Sequence, residues 1–467
     1  MHEALVAPSV AADATAVTRP GPLSVPAPSL SGLLNHPLRQ ELLNELHSRP
    51  YTPLSRNERI AHVLMFFGER ERDRTLVARN HSHMVALCNQ YRVPPPGPDD
   101  IHFQSDFGGF RLRWERHTEY DALVVYRNDR EGLPDDGAMF DQSPLTLLPA
   151  GWLASLEGMV LAAGQVAVVP RKPSRGDAAV GSLRYPFFVA SSLTSSQVLD
   201  GQAQIWTDFR IHDDGCTRLL VEAGTLDERD CGRLVQRLIE LDHYRTLTLL
   251  AVPMTKQLEP KITALDGELL TVTEDLGQAT DVATERALLG RLAEIWAEIA
   301  QLAAHHSYRF SATAAYDPLV RQRMERLRES RVVGWQRYTS FVERRLDQAV
   351  RHADTLRGRL EDLQRRVNLA ADLLRTRVNV HIEEQNVALL QSMDRRARLQ
   401  LRLQTMVEGL SVIAISYYAV SLLGYVLEGA ATLLPAADKS VLKAVAVVPM
   451  VAAIWLFLRR VKAKLHG

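Results

Sequence analysis

The polar side chains best placed to do chemistry in this sequence lie within a long apolar stretch near the carboxyl end. Stepping by three and four residues gives a set that shares one helical face, called here the polar seam: Ser411, Ala414, Tyr418, Ser421, Tyr425 and Glu428. Hydroxyls on one face could line a pore, and Glu428 carboxylates from several copies would form a ring that attracts cations. The same groups could instead hydrogen bond across an interface between helices. The polar seam therefore predicts pore-lining or helix-interface residues, and both hypotheses stay open.

The element that must position the polar seam is a membrane-spanning helix. Residues Gly409 to Leu427 include no charged side chain, and at about 1.5 Å per residue they extend about 28 Å, close to the roughly 30 Å hydrocarbon thickness of a bilayer. A second apolar run, Val441 to Leu458, follows after a short segment that contains Pro435 and Asp438. Two spans joined by so short a loop predict a transmembrane hairpin.

Basic residues on both sides of the hairpin indicate its orientation. Four arginines precede it and four basic residues follow it: Arg395, Arg396, Arg398, Arg402, Arg459, Arg460, Lys462 and Lys464. Lys and Arg near membrane ends favour the cytoplasmic side. We therefore expect a multi-pass protein of the cytoplasmic membrane with both termini in the cytoplasm.

Composition limits the other function classes. The formal net charge of this 467-residue chain is zero, which argues against a general nucleic-acid binder. Cys88, Cys216 and Cys231 show no metal-ligand spacing and are expected to be reduced thiols. Residues 1–35 lack the pattern of a secretory signal and are expected to be disordered.

The sequence gives little sign of an enzyme. It contains no phosphate-binding glycine loop, zinc-protease motif, nucleophile elbow or dinucleotide fingerprint. His47 and Arg49 have no catalytic partners nearby, and His81 and His83 point to different faces of a predicted helix. Glu383 and Glu384 are expected to be solvated, and neighbouring His305 and His306 are expected to diverge. We predict no enzymatic activity and no cofactor, and we assign no metal ligand.

Residues 36–253 are predicted to form a cytoplasmic α/β domain with mixed strands and helices. Strand-like segments include Ile60–Met65 and Ala122–Tyr126. A hairpin is predicted for Gln204–Ile211 with Thr217–Glu222, and Thr225 with Glu228 predicts a capping box for the next helix.

Residues 254–402 are predicted to form a long helical stalk, followed by the hairpin at 403–467. A first helix is expected over Ile262–Ser307. A later four-three seam predicts a coiled coil through Leu346, Ala349, Ala353, Leu356, Leu360, Leu363, Val367, Ala370 and Leu374. Another copy could cover this seam, or the helix at Ile262–Ser307 could fold back over it. No helix-breaking residue separates the seam from the membrane, which predicts one continuous helix from Arg345 into Leu427.

The segment from Leu373 to Tyr425 closely resembles a bacterial family of membrane-anchored proteins of unknown function. The stretches HPLRQELLNELHSRP, ELDHYRTLTLLAVP and FVERRLDQAV are similar to the same family, so the resemblance covers nearly the whole chain. It implies an architecture and leaves the activity open.

A more distant resemblance is to the CorA-type divalent-cation transporters. The stretch QNVALLQSMDRRARLQLRLQTMVEGLSVIAI is similar to the end of their stalk, where it enters the pore helix. The resemblance implies an α+β cytoplasmic domain, a helical stalk and a two-span hairpin in a homo-oligomer. The pore motif Gly-Met-Asn of that family is replaced here by Gly424-Tyr425-Val426.

Two functions are consistent with these patterns. The first is an ion channel or transporter of CorA-like layout for divalent cations, which the layout and the polar seam favour. The second is an oligomeric membrane anchor or scaffold that transports nothing and whose cytoplasmic domain binds a partner. Ion flux into liposomes separates the two.

Overall fold

The computed structural model of the chain describes residues 36–39, 42–43, 51–68, 74–129, 132–133, 138–171, 185–430 and 439–465. The predicted disordered segment 1–35 and the residues His47 and Arg49 lie outside the described residues.

The described strands form one mixed sheet. Their bounds are β1 Glu58–Phe66, β2 His102–Asp106, β3 Arg111–Arg116, β4 Tyr120–Asn128, β5 Met159–Pro170, β6 Thr194–Val198, β7 Ala203–Ile211, β8 Thr217–Ala223 and β9 Ser330–Arg331. The order across the sheet is β2-β3-β4-β1-β5-β8-β7-β6-β9. β5 and β8 are parallel, and the other neighbouring pairs are antiparallel.

The α-helices of the described residues are α1 Arg74–Tyr91, α2 Trp152–Ser155, α3 Glu228–Leu249, α4 Ala251–Gln278, α5 Val282–Glu325, α6 Tyr338–Ala430 and α7 Lys439–Leu465. Strands and helices occur together, so the predicted α+β class is confirmed. α6 is a single helix of 93 residues. The predicted continuous helix from Arg345 into Leu427 is therefore confirmed.

The chain divides into two compact units. An α+β unit contains residues 1–246 and 318–343, and a helical unit contains residues 247–317 and 344–467.

One face of the first half of the sheet has an ordinary apolar core. Met84, Leu87 and Cys88 of α1 pack in one cluster with residues of β3 and β4 such as Trp114 and Leu123. Strand alternation places every second side chain of these strands on this face. The side chains between them must therefore be covered by something else on the opposite face.

The predicted hairpin is confirmed, but the predicted helix cap is wrong. β7 and β8 pair antiparallel, and Gly215 takes a positive φ of 77° in their turn. Asp227 caps α3 instead of Thr225, because its carboxylate accepts the backbone N–H of Asp230 at 2.7 Å. Asp is as good an N-cap as Thr, and its position two residues later sets the start of the helix.

The four-three seam of α6 is buried within its own chain. Every seam position from Leu346 to Leu374 is buried. Over Ala353–Leu374 the seam shares one core cluster with residues of α4 and α5 such as Ile262, Leu269 and Ile299. The structure thus contains the fold-back cover, while a coiled coil between copies stays a prediction.

The predicted single helix Ile262–Ser307 is wrong, because the chain turns between α4 and α5. Ala279 is extended at the end of α4, and Asp281 caps α5 by accepting the N–H of Thr284 at 2.9 Å. The break lets the two helices run back along each other. Pro260, where the composition changes, lies inside α4.

A charged clamp closes this helical packing where the covered part of α6 ends. Arg377 donates to the carbonyls of Leu276 and Ala279 at 2.9 and 3.2 Å, and its Nε lies 3.1 Å from the buried carboxylate of Glu285. His381 Nδ1 lies 3.0 Å from the same carboxylate. Beyond the clamp, every position of α6 from Glu383 to Val407 is exposed.

We predict that Leu363→Ala destabilises the helical unit by about 2–5 kcal/mol, because it leaves a cavity among three helices. Leu369→Ala is the matched control on the same helix, since Leu363 is 2% exposed and Leu369 is 64% exposed. Its expected effect is below about 0.5 kcal/mol. Thermal unfolding followed by circular dichroism measures both, and equal shifts would contradict the fold-back cover.

Candidate functional site

A layer of buried polar side chains lies between α3 and the sheet, on the side away from α1. Its centre is a pair of histidines, one from the middle of β1 and one from α3. Nδ1 of His62 lies 3.0 Å from Nε2 of His243, which is a hydrogen bond, and the rings meet edge to face. The two residues are 3% and 4% exposed. The histidine pair joins α3 to β1, an interior strand of the sheet.

Close packing holds His62 in place. Gly164 of β5 lies opposite His62 in the sheet register. A Cβ at Gly164 would lie 2.4 Å from Nε2 of His62 and 2.8 Å from Oγ1 of Thr217, distances that real Cβ atoms essentially never show. Glycine is therefore required at this position for the imidazole to lie flat against the neighbouring strands.

An ion pair on α3 flanks the histidines. Arg245 donates through Nε to Asp242 at 3.0 Å, and its guanidinium stacks over the ring of Phe209 at 4.8 Å. Burial alone would raise the pKa of Asp242, but the charge and hydrogen bond of Arg245 together with the two neighbouring histidines lower that pKa. Asp242 also lies 3.9 Å from Nε2 of His62, too far for a direct hydrogen bond.

Phe209 reaches this position through a local irregularity of β7. Its φ is +53°, which is uncommon for a residue that is not glycine, and the register of β7 with β8 shifts there. The ring then stacks on Phe341, with centroids 4.4 Å apart and planes 4° from parallel. Strained backbone of this kind clusters at functional sites.

A small cavity opens beside the histidine pair. Its volume is about 20 Å³, enough for about one water molecule. Polar side chains that line it include His62, Gln165, Thr217, Asp242 and Tyr338. A water there could bridge the gap between His62 and Asp242, because each offers a polar atom to the cavity.

A second charged group lies in the same polar layer, on β2, β3 and the turn after β3. Arg113 donates through Nε to Glu115 at 2.9 Å, and Nε2 of His102 and of His117 lie 3.9 and 3.7 Å from the same carboxylate. Burial alone would raise the pKa of Glu115, but His117 and Arg113 hold it well below its usual range. Tyr120 connects the two groups, since it stacks on His117 at 4.2 Å and meets His243 edge-on at 6.4 Å.

This arrangement can hold protons and hydrogen bonds, but it does not form a metal centre. Within the described residues, no group of three or more His, Cys, Asp or Glu side chains could hold a metal ion. Both carboxylates of the polar layer are already bonded to arginines. Within the described residues, the cavity beside the histidine pair has room for about one water molecule.

The structure places the polar seam on a different element, α6, away from the buried histidines. Tyr418 and Tyr425 are 68% and 72% exposed, and Ser411 bonds back to the carbonyl of Val407 at 2.8 Å. Ala414 and Glu428 are exposed, and Ser421 is half-buried. Five of the six seam residues are exposed on one helical face, and Ser421 is partly covered.

The weaker candidates are not brought together. His81 lies 3.0 Å from the carbonyl of Pro96, while His83 lies 3.3 Å from the hydroxyl of Ser155. Glu383 and Glu384 are exposed on α6. The expectation that His305 and His306 diverge is wrong, because the rings meet edge to face at 4.7 Å. Consecutive rings on a helix can still touch at their edges when each takes a different rotamer.

Sequence reasoning missed the histidine pair and its ion pair. Two signals were present: one histidine within the apolar strand IAHVLM, and Asp-His inside the stretch ELDHYR. Each is ambiguous alone, since a single histidine in a strand carries no partner. The pairing depends on how α3 lies on the sheet, which spacing along the chain does not encode.

One helix of the described residues, Tyr338–Val426, is long and apolar enough by length and composition to cross a membrane. The second predicted span lies on α7, where the described residues include a shorter apolar helix, Ala444–Phe457. The described residues thus define a protein with an α+β unit and a helical unit that carries one candidate span.

The chain belongs to the family described as "Protein of unknown function (DUF3422)", whose model matches residues 34–465. This confirms the resemblance to a family of unknown function. No curated protein and no solved structure matches the chain. The likeness to CorA-type transporters therefore stays a sequence-based expectation.

We predict that Asp242→Asn and Arg245→Met each destabilise the α+β unit by about 3–5 kcal/mol, because each leaves a buried charge without its partner. The double variant should cost clearly less than the sum of the two single variants, since it removes both charges. Denaturant unfolding of the four proteins measures the coupling. Strict additivity would mean that the two side chains do not act as a pair.

Proposed function

We propose that this protein is an oligomeric integral membrane protein of the bacterial cytoplasmic membrane, which anchors its α+β unit at the cytoplasmic face. One observation carries the proposal: only 6% of the apolar window of α6 is buried. A soluble protein rarely leaves so much contiguous apolar surface uncovered, whereas lipid would cover it.

The burial pattern of the two apolar helices supports a hairpin. On α6, the buried or half-buried positions Val412, Ser416, Val420 and Gly424 recur every four residues, and half-buried Ala419 and Leu423 lie beside them. Ser421 is also half-buried but lies outside this stripe. On α7, the half-buried positions are Ala446, Met450 and Ile454, with the same spacing. One covered stripe on each helix is what two packed antiparallel spans produce.

The polar seam lies on the opposite side of α6 from this covered face. Tyr425 is nine residues beyond Ser416, and nine steps of about 100° bring it about 180° around the helix. Ser411 is related to Val420 in the same way. A hairpin on its own would leave these hydroxyls in lipid, where polar groups are unfavourable. Contact with other copies of the chain would cover them, which supports a homo-oligomer.

The basic flanks support the orientation. Arg395, Arg396 and Arg402 are exposed before the apolar stretch of α6, while Arg459 and Arg460 are exposed near the end of α7. In a hairpin these groups lie at one membrane surface, and an excess of Lys and Arg favours the cytoplasmic side.

A second candidate function is a pathway for cations, including divalent cations. The position of the polar seam favours it, because seams from several copies would face a common axis with Glu428 at one end. A carboxylate ring attracts cations, and hydroxyl groups can replace part of their water shell. The two functions differ in whether water reaches the polar seam. Water reaches it in the cation pathway and is excluded from it in the anchor.

We predict that the protein stays with membranes after alkaline carbonate extraction, since two apolar spans hold it in the bilayer. A variant truncated before Arg395 should be released by the same treatment. Recovery of the full chain in the soluble fraction would contradict membrane insertion.

Cysteine labelling separates the pathway from the anchor. Cysteine at Ser421 or Tyr425 should react with a membrane-impermeant thiol reagent if the seam lines a pore, and should resist it in a dry interface. Ile413, an apolar side chain of the same helix that is 68% exposed, is the lipid-facing control. The native thiols are replaced beforehand, although burial already raises the pKa of Cys88 and Cys216 to about 11. Labelling of the seam with cation uptake by liposomes supports the pathway, and silence with no uptake leaves the anchor.

A further inference from the structure

We propose that the His62–His243 pair is a proton-binding site that couples acidity to the docking of α3 on the sheet. This inference concerns the α+β unit and does not depend on membrane insertion. It rests on the geometry of the polar layer.

In the hydrogen bond between the two rings, only one of the two facing nitrogens can carry a proton. Nδ1 of His62 and Nε2 of His243 are 3.0 Å apart, so one nitrogen must donate an N–H and the other must accept it. If both nitrogens carried a proton, two N–H groups would point at each other across that distance. The bond therefore survives with neutral rings or with one imidazolium, and it is lost when both rings are charged.

The surroundings do not compensate even the first added charge. The carboxylates nearest the pair are Asp242 and Glu115, and they are already bonded to Arg245 and Arg113. Four groups act on the rings from α3 and from the β3 side: Asp242, Arg245, Glu115 and His117. Tyr120 presents the edge of its ring to His243. A buried imidazolium without its own counter-charge is unfavourable.

The electrostatics agree in direction with this geometry. Burial is the largest cause that lowers the pKa of His62, while Asp242 raises it only in part. Burial and the neighbouring His62 lower the pKa of His243 to about 3. Both rings are therefore neutral at pH 7 in the folded protein.

A route for the proton exists beside the pair. The water-sized cavity is lined by His62 and Thr217 as well as Asp242. Nε2 of His62, the nitrogen that the histidine pair leaves unused, lies 3.9 Å from Asp242, which also lines the cavity. Protonation can then occur without prior unfolding of the unit.

The consequence follows from the two elements that the pair joins. β1 is an interior strand between β4 and β5, and register pairing with both holds it along its whole length. α3 is held by a backbone hydrogen bond at its first residue, where Leu54 N–H donates to the carbonyl of Glu228 at 2.9 Å, and otherwise by side-chain contacts. Its second half is therefore the part that loosens when the histidine bond fails. Residues near His243, in the second half of α3, should respond first.

The sign of the pH dependence is fixed. The unfolded histidines titrate near pH 6.5, and the folded values are lower. The stabilisation by neutral burial is complete above about pH 6.5 and decreases as the pH falls below it, by up to about tenfold in the unfolding constant per pH unit and histidine.

The test is hydrogen exchange of the full chain in lipid or detergent between pH 7.5 and 5, corrected for intrinsic exchange rates. Peptides from the second half of α3 should lose about tenfold or more of their protection at pH 5, while peptides from α5 keep theirs. His243→Gln retains a hydrogen-bonding side chain without a titrating ring, and should remove most of this difference. His352→Gln, a half-exposed histidine paired with Glu259, is the matched control and should behave as the parent protein.

Two results would overturn the proposal. One is an unchanged acid response in both His243→Gln and His62→Gln. The other is a loss of protection that is equal in α3 and α5, which would indicate general acid unfolding. If His243→Gln fails to fold, the comparison of α3 with α5 in the parent protein and the His62→Gln variant still decide between these outcomes.

Discussion

The apolar seam of α6 is the constraint on which the helical unit depends. A helix with a continuous apolar stripe must bury it, and α4 and α5 provide that cover over Ala353–Leu374. The turn at Ala279–Asp281 lets two helices serve this purpose, and Arg377 with Glu285 closes the end. Past this clamp, every position of α6 from Glu383 to Val407 is exposed. The same helix therefore meets protein, then water, then the medium that surrounds its apolar stretch.

The α+β unit solves a different problem with its polar layer. Ionised pairs in a protein interior often contribute little net stability, because desolvation offsets their attraction. Here the charge of Asp242 is neutralised by Arg245, and that of Glu115 by Arg113. The histidine pair is left without a counter-charge for an added proton. Apolar packing by α1 on the other face of the sheet supplies the stability that such a layer does not. The layer can thus be specific and responsive while the sheet stays intact.

Much of the fold follows from local patterns in the sequence. The turn composition between β7 and β8 predicted a hairpin that the structure contains, and the seam from Leu346 to Leu374 indicated a face that the structure buries. The turn at Ala279–Asp281 was not predicted, although Asp281 with Thr284 is a capping signal, because the apolar pattern continues on both sides of it. Local spacing also found one face for Ser411, Tyr418 and Tyr425. It did not find His62 with His243, since that contact joins residues far apart in the chain.

Hydrogen exchange along α6 in liposome-reconstituted protein tests most directly whether the apolar end of this helix is embedded in lipid. We expect three zones in one uninterrupted helix. Exchange should be slow over Leu346–Leu374, faster over Glu383–Val407, and slow again over Leu410–Val426, where lipid excludes water. Exchange over Leu410–Val426 as fast as over Glu383–Val407 would contradict a membrane-embedded end of α6.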